Sequence, residues 1–313
     1  MNTYDEFGMF QENASEWEIP YSGPPTVRRD RVEVAPGCFL SALVWGDAPP
    51  ELVLLHGGGQ NAHTWDTFAL AINRPLVAID LPGHGHSDSM PDSFFSPTDY
   101  AAAVDVAVRA LAPNAKAVVG MSLGGLTSIA LLDRAPELVR ILVLVDVLPS
   151  INQERAAPIG EFIRGPESFA TFDEILDRTI KFNPTRSESS LRRGILHNAV
   201  QRDDGSWVWR HQRDWSSASA NTARREHTRP TTGYDALWDA LAAFDGPTIL
   251  IHGTTAASVI DDDALAELDA RRPDTVKIAV ADAGHSIQGD QPVILAQVVA
   301  DFLAVVEPAV DPD

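Results

Sequence analysis

Residues 117–125 read AVVGMSLGG and carry the strongest fold signal in the sequence. The apolar letters AVV predict a short buried strand, and the run LTSIALL that follows the stretch predicts a helix. Between them lies the pattern G-x-S-x-G, whose glycines permit a turn sharp enough to hold Ser122 in a strained conformation. Ser122 is therefore a candidate nucleophile. The alternative interpretation is a glycine-rich turn with an ordinary helix-capping serine.

Short apolar runs alternate with amphipathic helical patterns on both sides of this junction. Strands are expected near residues 27–34, 39–45, 52–56, 76–80, 117–120, 141–145, 248–251 and 276–280. Helices are expected near residues 65–72, 97–111, 123–135, 262–271 and 292–306. Continuous apolar strands such as ILVLV are typical of sheets covered on both faces, and the alternation with helices is typical of βαβ units. The sequence therefore predicts an α/β fold with a mostly parallel sheet.

The alternation stops between about residues 148 and 242, where the sequence becomes helical and polar and holds four of the seven tryptophans. We interpret residues 149–241 as an insertion into a core formed by residues 26–148 and 242–313. Residues 1–25 form a polar N-terminal arm with scattered aromatic side chains, which we expect to pack on the rest of the chain. This arm is a candidate contact in a homodimer.

The charge of the chain excludes nucleic acid as a partner and indicates which kind of small molecule it favours. Lys and Arg total 24 against 44 Asp and Glu, a formal net charge of -20, whereas nucleic-acid binding needs a basic surface. Residues 150–240 hold 13 basic and 13 acidic residues, so the whole excess lies outside the insertion. An acidic core beneath a charge-balanced insertion favours a neutral, fairly apolar small molecule over an anionic one.

Metal chemistry and membranes are not indicated either. A single cysteine, Cys38, excludes an intramolecular disulfide and any two-cysteine zinc motif, and we interpret it as a small apolar side chain. No signal peptide is recognisable, and no apolar run approaches the roughly 20 residues that span a bilayer. We expect a cytoplasmic protein without a membrane partner, a metal or an organic cofactor.

A second glycine-rich turn, HGGG at residues 56–59, closes the strand ELVLL. It resembles the oxyanion loop of esterases and lipases, in which backbone N–H groups stabilise the charge of a tetrahedral intermediate. We assign the two donors to Gly58 and to Leu123, the residue after the candidate nucleophile. Spacing alone leaves open whether Gly59 takes the place of Gly58.

His285, in the sequence AGHS after the last expected strand, is the candidate general base, because its loop leaves the same edge of the sheet as Ser122. His84 and His86 resemble a metal pair, but GHG is also a common turn after such a strand, and we favour the turn. The remaining histidines fit polar, pocket or structural positions better; they include His197, His211, His227 and His252.

An oxyanion loop, a G-x-S-x-G turn and a histidine in this order resemble the α/β-hydrolase fold family. The resemblance covers roughly residues 26–148 and 242–306, and the insertion is similar to the family's variable cap. It implies an eight-stranded sheet with helices on both faces, a Ser-His-acid triad, a mainly helical cap, and a substrate pocket between core and cap.

The acid of the triad departs from the family's commonest pattern. In most members it follows the penultimate core strand, but here TILIHG continues as TTAAS, without a carboxylate. Asp146 follows ILVLV directly, and haloalkane dehalogenases and a fungal zearalenone lactonase resemble this arrangement. A carboxylate after five buried positions needs a partner, which His285 would supply. We assign the acid to Asp146 and keep Asp261 and Asp262 as alternatives, although both fit a helix N-terminus.

A serine nucleophile implies hydrolysis of an ester or lactone through an acyl-enzyme. Alternatives are hydrolysis of a carbon–carbon bond, as in the meta-cleavage product hydrolases that the G-x-S-x-G-G pattern resembles, cofactor-free perhydrolysis, and a non-catalytic ligand receptor on the same fold. An Asp-Gly turn predicts a small hairpin in the insertion, whose tryptophans either form its own core or line the pocket. Expected pocket walls are Gly59, Leu148, Trp207, Trp209 and Ile287.

Overall fold

The computed structural model describes residues 4–90, 96–150, 152–211 and 233–307, and an eight-stranded sheet organises them. The sheet has the order β1-β2-β4-β3-β5-β6-β9-β10. Its strands are β1 (Val27–Ala35), β2 (Cys38–Trp45), β3 (Leu52–Leu55), β4 (Leu76–Ile79), β5 (Ala117–Met121), β6 (Ile141–Val145), β9 (Thr248–Gly253) and β10 (Val276–Val280). β2 pairs antiparallel with β1 and β4, and all other neighbours are parallel. The predicted α/β class and mostly parallel sheet are confirmed.

Helices cover both faces of the sheet. They are α1 (Phe10–Glu16), α2 (Asp66–Ile72), α3 (Pro97–Leu111), α4 (Leu123–Arg134), α5 (Gln153–Ile163), α6 (Phe172–Phe182), α7 (Glu188–Asn198), α8 (Gly233–Ala243), α9 (Asp262–Arg271), α10 (Ile287–Asp290) and α11 (Pro292–Val306). Because side chains alternate along a strand, β3 sends Val53 and Leu55 into one apolar cluster and Leu52 and Leu54 into the other. Both clusters are buried, which is why the central strands are apolar throughout.

The parallel arrangement brings six loops to one edge of the sheet. The carboxyl ends of β3, β4, β5, β6, β9 and β10 lie at this edge because those strands run in the same direction. The residues that follow them include His56, Asp80, Ser122, Asp146 and His285. The chemistry-bearing residues of the sequence therefore meet at one place.

The segment between β6 and β9, here called the inserted segment, contains α5 to α8 and a small hairpin. The hairpin pairs β7 (Ala199–Gln201) with β8 (Trp207–Trp209), as the Asp-Gly turn predicts. Its apolar side joins α6 and α7 in a separate small core. α8 belongs to the main core instead, since its Trp238 and Leu241 are buried there. Trp215 and His227 lie outside the described residues.

The N-terminal arm contacts both the core and the inserted segment. Phe10 in α1 is buried against Trp45, with ring centroids 4.9 Å apart. Arg193 in α7 donates hydrogen bonds to Asn13 and Glu16 of the arm. Across the described ranges, no helix is long and apolar enough to cross a membrane.

Candidate active site

Ser122 lies where β5 turns into α4, with backbone angles φ 51° and ψ -119°. This left-handed conformation is unusual for a non-glycine residue and costs on the order of 1–3 kcal/mol. Its amide donates to Val145 O at 3.3 Å, and its carbonyl accepts from Leu126 N at 3.0 Å. The side chain makes no capping hydrogen bond, which contradicts the alternative interpretation as an ordinary helix cap.

The glycines beside Ser122 are required by close packing. A Cβ atom at Gly124 would lie 2.2 Å from Leu55 O, and one at Gly120 would lie 2.5 Å from Gly125 Cα. α4 can therefore approach the end of β3 only because these side chains are absent. That approach brings the start of α4 to the turn at residues 56–59.

Hydrogen bonds in the 56–59 turn single out one N–H group. Gly57 N donates to Gln60 Oε1 at 3.1 Å, and Gly59 N donates to His84 Nε2 at 3.1 Å. Within the part of the chain that the structure describes, Gly58 N has no such acceptor. Leu123 N also lacks an intrahelical partner, because it belongs to the first turn of α4. The N–H groups of Gly58 and Leu123, the two donors expected from the sequence, thus have no acceptor among the described residues, whereas the amide of Gly59 is occupied.

Two buried histidines hold this turn in place. His84 Nδ1 donates to Pro82 O at 3.0 Å, which leaves Nε2 as the acceptor for Gly59 N. Burial lowers the pKa of His84 to about 3, so the ring is neutral and keeps this arrangement at ordinary pH. His56 is likewise held neutral by burial, which lowers its pKa, and its Nε2 accepts from Leu81 N at 2.9 Å. These bonds fit the structural interpretation of His84 rather than a metal pair with His86.

Asp146 and His285 form a hydrogen bond in the loops that follow β6 and β10. His285 Nδ1 lies 2.9 Å from Asp146 Oδ2, and Asp146 is completely buried with φ 47°. A neutral imidazole that donates from Nδ1 keeps the lone pair of Nε2 for a second partner. His285 and Ser122 line the same cavity, although among the described residues no hydrogen bond joins them. Contacts of this kind are often loose in substrate-free enzymes and tighten on binding.

The loop after β9 supplies further donors to Asp146. Gly253 N donates at 3.0 Å and Ser258 Oγ at 2.5 Å to Oδ1, and Val259 N donates at 3.0 Å to Oδ2. Four donors surround this buried carboxylate, counting His285, which offsets the cost of burying its charge. Ser258 lies in the loop after β9, where most members of the α/β-hydrolase fold family carry the acid of the triad. Ser258 was not among the residues expected at the site, although its place in TTAAS was a usable signal.

The alternative acids have other positions. Asp261 caps α9 by accepting from Ala264 N at 2.9 Å, and it accepts from Asn152 Nδ2 at 2.6 Å. The hydrogen bond from Asn152 lowers the pKa of Asp261. Asp262 is the first residue of α9. Neither has a hydrogen bond to His285 in the described part of the chain.

Ser122 and His285 open onto a cavity of about 750 Å³ between the sheet edge and the inserted segment. Its lining includes Gly59 and Trp209, two of the five expected walls, the expected oxyanion donor Gly58, and an apolar wall. That wall is formed by Leu123, Leu126, Ile159, Phe162 and Ile163.

Three expected pocket walls lie elsewhere. Leu148 is buried in one core cluster and Ile287 in the other, because each side chain points between the sheet and a helix instead of toward the cavity. Trp207 packs edge-on against Phe172, with ring centroids 5.2 Å apart, in the small core of the inserted segment. Trp209 packs against Phe162 in the small core of the inserted segment and also lines the cavity.

A second buried histidine–carboxylate group adjoins the cavity and was missed by the sequence analysis. His63 Nδ1 lies 2.9 Å from Asp66 Oδ2, and His63 Nε2 lies 3.1 Å from Glu6 Oε1. Burial alone would lower the pKa of His63, but the carboxylates, Asp66 above all, raise it to about 9. Burial and the charge of His63 lower the pKa of the neighbouring His197 well below its usual value. Nothing in the sequence pattern places Glu6 beside His63.

His63, Asp66 and His197 are close enough to hold a metal ion, but their present arrangement does not favour one. The imidazole rings of His63 and His197 stack with centroids 3.8 Å apart and planes 11° from parallel. Their in-plane lone pairs therefore run side by side instead of converging on one point. Both nitrogens of His63 are also engaged with carboxylates.

Comparisons with known proteins agree with this fold. The sequence profile of the alpha/beta hydrolase family matches residues 52–298. Esterase Rv0045c of Mycobacterium tuberculosis is 40% identical over 307 residues, covering 96% of each chain. A solved structure of that esterase has a TM-score of 0.82 at 39% identity and covers 97% of this chain and 100% of its own. The 3-hydroxybutyrate-oligomer hydrolase of Cupriavidus necator is 27% identical over 252 residues, covering 77% of this chain and 85% of that protein.

Proposed function

Since this chain belongs to the alpha/beta hydrolase family and is an ester-hydrolysing enzyme, we propose that Ser122, His285 and Asp146 carry out its reaction. In this proposal Ser122 Oγ attacks the carbonyl carbon of a neutral, fairly apolar ester or lactone. His285 takes the serine proton, and Asp146 holds the imidazole in the tautomer that makes this transfer possible. His285 then returns this proton to the alcohol oxygen as the ester C–O bond breaks, which leaves the acyl-enzyme, and water cleaves the acyl-enzyme by the same route.

One observation carries the proposal. A serine with φ 51° shares a cavity with a histidine whose Nδ1 is bonded to a buried carboxylate, and two N–H groups that have no acceptor in the described part of the chain adjoin the serine. The N–H groups of Gly58 and Leu123 would stabilise the oxyanion, a contribution of about 3 kcal/mol for each donor. His84 supports this function by holding the turn through Gly59 N.

The substrate class follows from the cavity wall. The apolar wall from α4 and the second half of α5 favours an uncharged acyl chain, and the two charged residues of α5 that also line the cavity, Glu154 and Arg155, lie in the first turn of that helix. We further propose that the inserted segment acts as the cap of the site, since α5, α6 and α7 all contribute to this lining.

Covalent labelling tests the nucleophile directly. A fluorophosphonate probe should modify Ser122, identified by peptide mass mapping, and Ser122→Ala should lower kcat by about 10⁶-fold. Ser128→Ala is the matched control, because Ser128 lies six residues further along in α4, buried, with its hydroxyl bonded to Gly124 O. Labelling of another residue, or full activity of Ser122→Ala, would reject the proposal.

A substrate panel tests the specificity. Ethyl esters and lactones with acyl chains of graded length should be hydrolysed, and esters with a carboxylate on the acyl chain should react more slowly. The rate should be unchanged in a chelator, because no step uses a metal. A preference for the charged acyl chains would contradict the assigned substrate class.

A further inference from the structure

A polar passage leaves the cavity beside His285. A second cleft of about 410 Å³ shares six lining residues with the main cavity, and all six are polar. We call these six residues the polar throat: Thr185, Arg186, Ser190, Thr255, Asp282 and Asp290. The apolar wall described above has no member among them.

The throat and the apolar wall lie beside different parts of the candidate machinery. A Cβ atom placed on Gly59 would lie 3.3 Å from Ile163 Cγ1, so the apolar wall adjoins the oxyanion turn. A Cβ atom placed on Gly284, the residue before His285, would lie 3.3 Å from Thr255 Oγ1 and 3.5 Å from Asp290 Oδ2. The throat therefore adjoins the histidine.

The chemistry of ester hydrolysis assigns a part of the substrate to the throat. A general acid must contact the oxygen of the departing alcohol in order to protonate it, so the alcohol portion lies next to His285. We propose that the throat binds this portion and that the enzyme prefers esters of a neutral alcohol carrying further hydroxyl groups, such as glycerol. This proposal rests on the proposed function, because it takes His285 as the proton donor.

Three throat side chains have hydrogen-bonding capacity to spare, in addition to the exposed hydroxyl of Thr185. The hydroxyls of Thr255 and Ser190 and the carboxylate of Asp282 make no hydrogen bond with the described part of the chain. Together they offer two groups that both donate and accept and one that only accepts. An alcohol with several hydroxyl groups can use all three, whereas a simple alkyl alcohol can use none.

The charges of the throat disfavour an anionic alcohol portion. Arg186 donates to Asp290 Oδ1 at 2.7 Å and to Ser286 O at 3.0 Å, so its charge is already paired. Asp290 also accepts from Gly284 N at 2.9 Å. Asp282 has no ion pair among the described residues, and its carboxylate would repel a negatively charged alcohol portion.

A matched pair of substrates tests the proposal. Propyl butanoate and 1-butanoylglycerol share the acyl group and the three-carbon alcohol and differ by two hydroxyl groups. We expect kcat/KM to be about tenfold higher for the glycerol ester, since one well-made hydrogen bond gives roughly that factor. The anionic ester butanoyloxyacetate should be hydrolysed more slowly than propyl butanoate. An equal or lower kcat/KM for the glycerol ester would overturn the proposal.

Two variants separate the hydrogen bonds from the charge. Thr255→Val removes one hydroxyl at nearly constant shape and should lower the glycerol-to-propyl ratio several-fold. Asp282→Asn keeps hydrogen bonding and suits the left-handed backbone of this position, φ 56°, and it should raise the relative rate of butanoyloxyacetate several-fold. Asp269→Asn is the control, because Asp269 lies on the exposed face of α9, is paired with Lys277 of β10, and does not line the cavity.

These outcomes differ from a failure of the proposed function. Unchanged ratios in both Thr255→Val and Asp282→Asn would overturn the assignment of the throat while propyl butanoate is still hydrolysed. Hydrolysis of propyl butanoate by Ser122→Ala at the wild-type rate would overturn the proposed function instead.

Discussion

Two histidine–aspartate pairs lie beside the same cavity, each with Nδ1 2.9 Å from a buried carboxylate oxygen. The two pairs differ in the further contacts of the carboxylate and of the second ring nitrogen. In the pair of His285 and Asp146, the carboxylate accepts three further hydrogen bonds and the histidine shares the cavity with Ser122. In the pair of His63 and Asp66, the second ring nitrogen contacts Glu6 and the ring stacks on His197.

A short distance between a histidine Nδ1 and an aspartate oxygen therefore does not by itself indicate catalysis. A general base needs one nitrogen that is free to exchange a proton with the nucleophile. His285 has such a nitrogen, whereas both ring nitrogens of His63 are engaged with carboxylates, which raise the pKa of His63 to about 9. We therefore interpret the pair of His63 and Asp66 as a structural junction between the arm, the core and the inserted segment.

Replacing each aspartate separates the two pairs by activity. Asp146→Asn should lower kcat by about 10⁴-fold, because the imidazole would then favour the wrong tautomer. Asp66→Asn should keep kcat within about tenfold and lower the free energy of unfolding, because it removes a charge partner of a buried cation. Steady-state kinetics and urea unfolding measure both effects.

Asp261→Asn is the control for this comparison and should also leave kcat nearly unchanged, since Asp261 caps a helix. A large loss of kcat in Asp66→Asn or Asp261→Asn, with Asp146→Asn nearly unaffected, would reverse the assignment.

Stability at alkaline pH reports on the pair of His63 and Asp66. The pKa of His63 is raised from 6.5 to about 9 in the folded protein, so its stabilisation is complete below pH 6.5 and lost as pH rises through 9. The free energy of unfolding should therefore fall by about 3 kcal/mol between pH 6.5 and 9. Urea unfolding at both pH values measures it.

His63→Gln should be less stable at pH 6.5 and should show a correspondingly smaller fall. The same slope in His63→Gln as in the wild type would show that another group carries the pH dependence.

Ser258→Ala tests the hydrogen bonds that distinguish Asp146 from Asp66. Loss of the 2.5 Å hydrogen bond to Oδ1 should lower kcat about tenfold with KM nearly unchanged, because the hydroxyl positions Asp146 and does not touch substrate. Ser258→Thr keeps the hydroxyl and should restore most of the rate. A rise in KM without a change in kcat, or a Thr variant as slow as Ala, would reject the positioning role.

Much of the fold was predictable because it depends on local patterns. The apolar runs of β3, β5 and β6 and the glycine-rich turns at 56–59 and 120–125 each carry their own signal. Parallel strands then bring their carboxyl ends together, so Ser122, Asp146 and His285 could be assigned to one edge of the sheet. The eight-stranded sheet confirms the predicted architecture.

The walls of the cavity were less predictable because they depend on the direction of single side chains. Leu148 and Ile287 are close in sequence to Asp146 and His285, yet both point into the core. The inserted segment supplies Ile159, Phe162 and Ile163 through a helix whose orientation no local pattern specifies. Neighbours in the sequence are thus a poor guide to neighbours in a cavity.

The sequence by itself determined the strand-to-helix turn at Ser122, the oxyanion turn and the α/β scaffold, because glycine positions and hydrophobic periodicity act over a few residues. Three sets of contacts depend on the tertiary structure. Asp146 is the aspartate that meets His285, and Ser258 and two backbone amides surround Asp146. Glu6 and Asp66 enclose His63. These contacts join residues 57 to 139 positions apart, apart from the local pair of His63 and Asp66. Their energies depend on distance and burial in the folded chain, which the order of the residues does not state.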